Sequence, residues 1–272
     1  MDWILALKAV ILGIIEGLTE FLPISSTGHM ILVEKLMTLS SNRAFVSGFE
    51  VIIQLGAITA VVVYFWKKLC PFTGNSKDKS DKWLLWGKVL VAVIPSTILG
   101  LKFSDVIKSK LFNPTVVAIT LIVYGVLLIL IEFFHSQKTD YKVTTLFQLT
   151  FITAFGIGLF QCLAMVPGTS RSAATIIGAM ILGLNRPAAA EFSFYLAIPT
   201  MIGASLVTIY QEGVSFLVPE WIAIGIGFFI SFVVALWAIR FLMGYIQKHN
   251  FKLFGYYRIV LGIIVLSFLA QS

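Results

Sequence analysis

The sequence predicts an all-α polytopic membrane protein, with about six full transmembrane helices and two re-entrant helix–loop–helix regions in an inverted-topology repeat. Three observations carry that prediction. The 272 residues are 58% hydrophobic and 12% charged, where soluble domains run to roughly a quarter charged, and mean hydropathy is +0.96. Apolar stretches recur at the length of ~20 residues that crosses a hydrocarbon core. Two short polar islands lie inside apolar regions that do not read as simple spans.

Along the chain, the first such region covers 3–33 and contains the first island. Spans follow at about 49–66, 84–103 and 115–133, with a charged loop expected at 67–82. The region 146–182 carries the second island, and spans at about 191–210, 220–243 and 255–270 complete the chain. The first apolar run has no basic segment before it and meets Glu16 and Glu20 instead of a cleavage site, so it is not expected to be a signal peptide. Cys70 and Cys162 show no disulfide or zinc spacing.

The islands read Glu16-Gly17-Leu18-Thr19-Glu20-Phe21-Leu22-Pro23-Ile24-Ser25-Ser26-Thr27-Gly28-His29 and Pro167-Gly168-Thr169-Ser170-Arg171-Ser172-Ala173-Ala174-Thr175. Each proline breaks a helix, because it lacks the N–H donor and clashes with the preceding turn. Aligning Pro23 with Pro167 sets Ser25 against Thr169, Ser26 against Ser170 and Thr27 against Arg171. This gives one membrane domain, 1–272, built of two repeats at about 1–135 and 146–272. Three spans separate the islands, so the second repeat starts from the opposite side. Sites in such folds lie where broken helices meet near mid-membrane.

The net charge of +7 points to topology and not to nucleic acid, because Lys and Arg concentrate in the connections between spans. One side receives Lys67, Lys68, Lys77, Lys79, Lys82, Lys138, Lys142, Arg186, Lys248 and Lys252, ten in all, against six on the other. The excess places 67–82 in the cytoplasm. Both termini and the mouth of the first re-entrant region then face outward.

Ionisable groups at membrane depth are costly, so they mark a functional site by default. Glu16 and Glu20 project from one helical face. Two hard oxygen ligands suit Mg²⁺ or Ca²⁺, with phosphate and water completing the shell. Ser25, Ser26 and Thr27 enter a helix whose free N–H groups form an anion site, and helix capping is the plainer use of such hydroxyls. Ser26 is a candidate nucleophile, with His29 three residues on as its base. Arg171 offers a planar fork that matches phosphate oxygens, or a salt bridge to Glu16 or Glu20. Ser170, Ser172 and Thr175 stand beside it.

These islands resemble the undecaprenyl-diphosphatase family, the bacitracin-resistance family of bacterial membrane phosphatases. The resemblance rests on the paired-glutamate segment running into Ser25-Ser26-Thr27-Gly28-His29, on Pro167 to Thr175, and on Phe49-Glu50 through Gln54 to Gly56. It implies hydrolysis of undecaprenyl diphosphate to undecaprenyl phosphate and inorganic phosphate at the outer face of the bacterial cytoplasmic membrane. That reaction recycles the lipid carrier of peptidoglycan synthesis and confers bacitracin resistance. It also implies Ser26 as nucleophile, Glu16, Glu20, His29 and Arg171 as active-site groups, and Thr27, Ser170 and Ser172 at phosphate. The partners expected are the polyprenyl diphosphate and membrane lipids, with a homodimer left open because nothing in the sequence sets the oligomeric state. The competing class is an inverted-repeat transporter or flippase for an anionic or phosphate-bearing substrate. Transport of an anion does not require hydroxyls and a histidine beside a glutamate pair.

Overall fold

The computed structural model describes residues 3–137, 140–212 and 215–270, and the described residues form eleven α-helices and two 3₁₀ turns with no extended strand. The helices are α1 (Trp3–Thr19), α2 (Ser26–Leu36), α3 (Arg43–Tyr64), α4 (Trp66–Leu69), α5 (Ser76–Leu111) and α6 (Pro114–His135). After them come α7 (Phe151–Gln161), α8 (Arg171–Ile181), α9 (Arg186–Glu212), α10 (Val218–Tyr245) and α11 (Lys252–Ala270). The protein is an all-α polytopic membrane protein. Five helices among the described residues are long and apolar enough to cross a membrane: Arg43–Tyr64, Ser76–Phe103, Pro114–His135, Arg186–Gln211 and Val218–Tyr245. The sixth expected span falls on α11, whose 19 residues measure roughly 28 Å. Large apolar side chains such as Leu90, Ile119 and Phe229 are exposed on the outer faces of these helices, as surfaces solvated by lipid require.

The sequence expectation of a loop over 67–82 is corrected in part. Residues 66–69 form α4, and α5 begins at Ser76, well before the apolar stretch. The reason is local. Asn75 accepts from the Asp78 amide, and the Asp78 carboxylate accepts from the Asn75 amide. This reciprocal cap satisfies two donors at the helix start, so the charged segment 76–82 extends the span as helix.

The helices follow the order short, short, long, long, long twice over, as α1, α2, α3, α5, α6 and then α7, α8, α9, α10, α11. Packing exchanges the two sets: α1 lies against α10 while α7 lies against α5, and α3 meets α9 as α6 meets α11. The sets are interlocked and share one core. Both islands enter helices of 11 residues through a serine cap with left-handed backbone, φ 74° at Ser25 and 69° at Ser170. The caps correct the register suggested by the prolines. Ser25 stands two residues after Pro23, but Ser170 stands three after Pro167, because Gly168 adds a left-handed residue at φ +86°. Ser25 therefore corresponds to Ser170, Ser26 to Arg171, and Glu16 to Gln161.

Several connections meet at one end of the bundle. Arg186 at the start of α9 pairs with the buried Glu132 near the end of α6 at 2.7 Å. Glu132 also accepts from the Phe251 amide ahead of α11, and Lys68 pairs with Glu191 of α9 at 2.9 Å. Lys68, Arg186 and Lys252, all on the side expected to be lysine-rich, gather here.

Candidate active site

α1 brings the first carboxylate to the centre by close helix contact. A Cβ on Gly13 would stand 2.8 Å from the Gly227 carbonyl oxygen of α10, and one on Gly17 would stand 2.7 Å from that of Ser231. Glycine at both positions lets the two backbones touch. Glu16 lies between them and is only 2% exposed, with Oε1 lacking any hydrogen-bond partner. α1 ends at Thr19, and the turn through Pro23 follows.

Glu20, in that turn, joins the islands. Its Oε2 accepts from the Ser26 hydroxyl at 3.1 Å. Its Oε1 accepts from Arg171 Nη2 at 3.2 Å and Nε at 3.4 Å. Arg171 Nη1 donates to the Ser193 carbonyl at 2.9 Å. A guanidinium has five N–H donors, so three used here leave two, one on each Nη. The expected pairing of Arg171 with a glutamate is thus present, to Glu20, in a largely buried setting where the Arg171 side chain is 11% exposed.

The other predicted residues divide by what holds them. The Ser25 hydroxyl accepts from the Gly28 amide at 3.3 Å and the Ser170 hydroxyl from the Ala173 amide at 3.3 Å, so both cap helices. Ser170 and Ser172 hydroxyls also lie 3.0 Å apart. Ser172 donates to the Leu22 carbonyl at 3.0 Å and ties the second island to the first. Thr175 meets the Ser193 hydroxyl at 2.6 Å and donates to the Arg171 carbonyl at 2.9 Å, which fixes α8 to α9 below Arg171. Ser172 and Thr175 are fully buried, and their hydroxyls hold the site together. Ser26 and Thr27 are half-buried in the first turn of α2.

His29 is placed differently from expectation. Its Nδ1 donates to the Ser25 carbonyl at 2.7 Å, and Nε2 lies 2.7 Å from the Tyr257 hydroxyl of α11. The two rings stack at 8° with centroids 5.6 Å apart. Neither ring nitrogen meets Ser26. The back-bond to residue 25 turns the imidazole along α2, and the carboxylate that accepts a hydrogen bond from the Ser26 hydroxyl is that of Glu20.

Residues 9–264 match the family described as bacitracin resistance protein BacA. The chain belongs to that family. Among its relatives, an undecaprenyl-diphosphatase 1 of Clostridioides difficile (strain 630) is 53% identical over 96% of this chain and 95% of its own length. An undecaprenyl-diphosphatase of Enterococcus faecalis is 51% identical over 98% of each chain. One from Fusobacterium nucleatum subsp. nucleatum is 54% identical over 96% of this chain and 99% of its own.

In this member of the bacitracin-resistance family, α6 backs the second loop. Thr120 donates to the Pro167 carbonyl at 2.7 Å. A Cβ on Gly168 would stand 2.2 Å from Thr120 Oγ1 and 2.6 Å from the Val117 carbonyl. With φ at +86° as well, Gly168→Ala is expected to destabilise by roughly 1–3 kcal/mol through backbone strain, and to misplace Arg171. Melting in detergent and turnover of the surviving protein check this; an alanine variant with unchanged values would show that the loop has slack.

Sequence reasoning missed Arg258, Tyr257, Thr120 and Ser193. Arg258 carried a readable signal, a lone arginine inside the last apolar stretch. Thr120 and Ser193 sit in apolar spans and gave none.

Proposed function

We propose that this member of the bacitracin-resistance family hydrolyses undecaprenyl diphosphate to undecaprenyl phosphate and inorganic phosphate. The names of its relatives support that reading over a transporter. The observation that carries it is a single carboxylate, Glu20, bonded to the Ser26 hydroxyl of one island and the Arg171 fork of the other. A nucleophile, a proton acceptor and a phosphate clamp thereby meet at two helix N-termini, where backbone N–H groups favour an anion.

The steps follow from those positions. The terminal phosphate docks on the two unused Arg171 donors and the first turns of α2 and α8. Ser26 Oγ attacks the terminal phosphorus as Glu20 takes its proton. The bond from that phosphorus to the bridging oxygen breaks, and undecaprenyl phosphate leaves with the electron pair. Glu20 passes that proton to the departing phosphate and is again a carboxylate. It then takes a proton from the water that attacks the phosphoserine, the P–Oγ bond breaks to release inorganic phosphate, and the proton is returned to Ser26 Oγ. Neutralising charge is the main demand in phosphoryl transfer, and Arg171 supplies it. His29 flanks Ser26 on α2 with both ring nitrogens engaged, so it reaches a phosphate oxygen only by releasing the Tyr257 hydroxyl.

A divalent cation, Mg²⁺ or Ca²⁺, fits the donor set. Among the described residues no group of three or more metal-ligating side chains occurs. Mg²⁺ uses one or two carboxylates with substrate phosphates and water, and Glu16 offers the orphaned oxygen while both Glu20 oxygens are engaged. Glu16, with Glu20 beside it, would hold the ion. Bound there, the ion adds positive charge against the phosphate oxygens.

The site faces the outer side of the bacterial cytoplasmic membrane in this reading, because the lysine-rich connections mark the cytoplasmic end. In the same reading the chain is two inverted repeats, about 1–135 and 146–272, whose broken helices meet near mid-membrane.

The test is phosphate release from undecaprenyl diphosphate by purified protein in detergent, with and without chelator. Release that depends on added Mg²⁺ or Ca²⁺ is expected; no release under any condition would remove the phosphatase reading. Glu16→Gln keeps the shape and loses the charge, so the metal concentration giving half-maximal rate should rise roughly tenfold or more for a hard cation. An unchanged metal titration would separate Glu16 from the ion.

A further inference from the structure

Arg258 of α11 is fully buried. Its Nη2 donates to the carbonyls of Gly168 at 2.8 Å and Thr169 at 2.9 Å, and its Nη1 to the Pro23 carbonyl at 3.3 Å. One planar group therefore touches both loops, at the residues that lead into the left-handed caps Ser25 and Ser170. In a trans peptide the carbonyl and the next amide point opposite ways. The plane that gives the Thr169 carbonyl to Arg258 turns the Ser170 N–H away from it. The amides after the other two carbonyls, Ile24 and Thr169, donate to the Leu22 and Val166 carbonyls, so Arg258 aims the Ser170 amide and holds the other two peptides in their turns.

The charge is also notable for its company. The ion pairs among the described residues are Lys68–Glu191, Arg171–Glu20 and Arg186–Glu132, and Arg258 is in none of them. Its Cζ lies over the Tyr124 ring, 6.0 Å from the centroid, and Nε has no hydrogen-bond partner. An arginine inside a membrane span without a carboxylate is expensive. A loop anchor alone needs no charge, since neutral donors reach carbonyls as well. A diphosphate bound in front of the loops would supply the missing counter-charge.

We propose that Arg258 is a positioning residue for phosphoryl transfer, which clasps the two loops through three carbonyls and sets a positive field behind the bound diphosphate. The proposal rests on the phosphatase reading for its substrate. Glutamine at this position keeps some hydrogen bonding and loses the charge. Lysine keeps the charge and loses the planar fork.

The experiment compares wild type, Arg258→Gln and Arg258→Lys, purified in detergent. It measures kcat and KM for phosphate release, and the rise in melting temperature caused by inorganic pyrophosphate. Expected results are a kcat at least tenfold lower in Arg258→Gln, partial recovery in Arg258→Lys, and a pyrophosphate-induced rise seen in wild type and lost in Arg258→Gln. A merely structural arginine would lower the melting temperature without moving kcat or the pyrophosphate response. Arg258→Gln with wild-type kcat and response would overturn the proposal, as would failure of both variants to fold. A wild type that binds pyrophosphate and releases no phosphate would sink the phosphatase reading while the pyrophosphate comparison still decides the role of Arg258.

Discussion

Arg171→Lys should lower turnover by roughly 10²–10³-fold, the usual cost of removing a preorganised donor from a developing phosphate charge, while the protein still inserts. Lysine keeps the charge, so a site that needed charge alone would tolerate it. The geometry argues otherwise. Nε and Nη2 both grip Glu20, Nη1 grips the Ser193 carbonyl, and the plane so fixed holds two further donors in one orientation. An ammonium on a flexible stem reproduces neither the fixed plane nor the paired donors. Arg171→Ala should be worse in a second way. It strands Glu20 as a buried carboxylate, and breaking a buried pair costs about 3–5 kcal/mol, so melting temperature should fall together with turnover. The diagnostic comparison is therefore lysine against alanine. Loss of turnover with little loss of stability in Arg171→Lys assigns the fork to the substrate, whereas near-normal turnover there would show that charge suffices.

Much of this arrangement was legible in the residues. Hydropathy located the spans because lipid-facing helices carry their apolar residues on every side. The two islands announced themselves because glutamate, arginine and histidine are rare at such depth. The pairing of islands followed from complementary charge, and Arg171 does meet Glu20. Two things were hidden. The first was the register between repeats. The prolines looked like the natural anchor, but the serine caps set the correspondence, and the left-handed Gly168 shifts the second loop by one residue. A turn's length is decided by backbone dihedrals, which residue letters indicate only weakly. In the corrected register Glu16 faces Gln161, which bonds Ser96 and Thr200. The segment before the first island carries a charge there, and the segment before the second carries a neutral structural bond.

The second hidden item was direction. His29 three residues from Ser26 suggested a base, because positions i and i+3 share a helix face. Sharing a face does not set a rotamer, and the Ser25 carbonyl with Tyr257 captures the imidazole. Tyr257 is 228 residues away in sequence, and no local pattern could supply it. The partners of Ser172 and Thr175 were hidden for a similar reason. Hydroxyls near an arginine suggest phosphate contacts, but these two are spent on Leu22 and Ser193.

The nucleophile gives the other large effect. Ser26→Ala should abolish turnover, by on the order of 10³-fold or more if the hydroxyl forms the covalent bond. A hydroxyl that only positions phosphate predicts a loss on the order of tenfold, because one such hydrogen bond is worth ~1.5 kcal/mol. The variant is clean for a structural reason. The cap of α2 belongs to Ser25, which accepts from the Gly28 amide, so removing the neighbouring hydroxyl leaves the helix start intact. Glu20 keeps Arg171 on its other oxygen and remains paired. A fall in activity without a fall in melting temperature is then chemical in origin. Trapping separates the routes directly: quench the enzyme during turnover of terminally labelled undecaprenyl diphosphate, and look for phosphate on the peptide containing Ser26. Label on that peptide is expected, with Glu20→Gln lowering its yield because the proton acceptor at 3.1 Å is gone. Robust turnover by Ser26→Ala would transfer the attack to water, and Glu20 would then be the group that activates it.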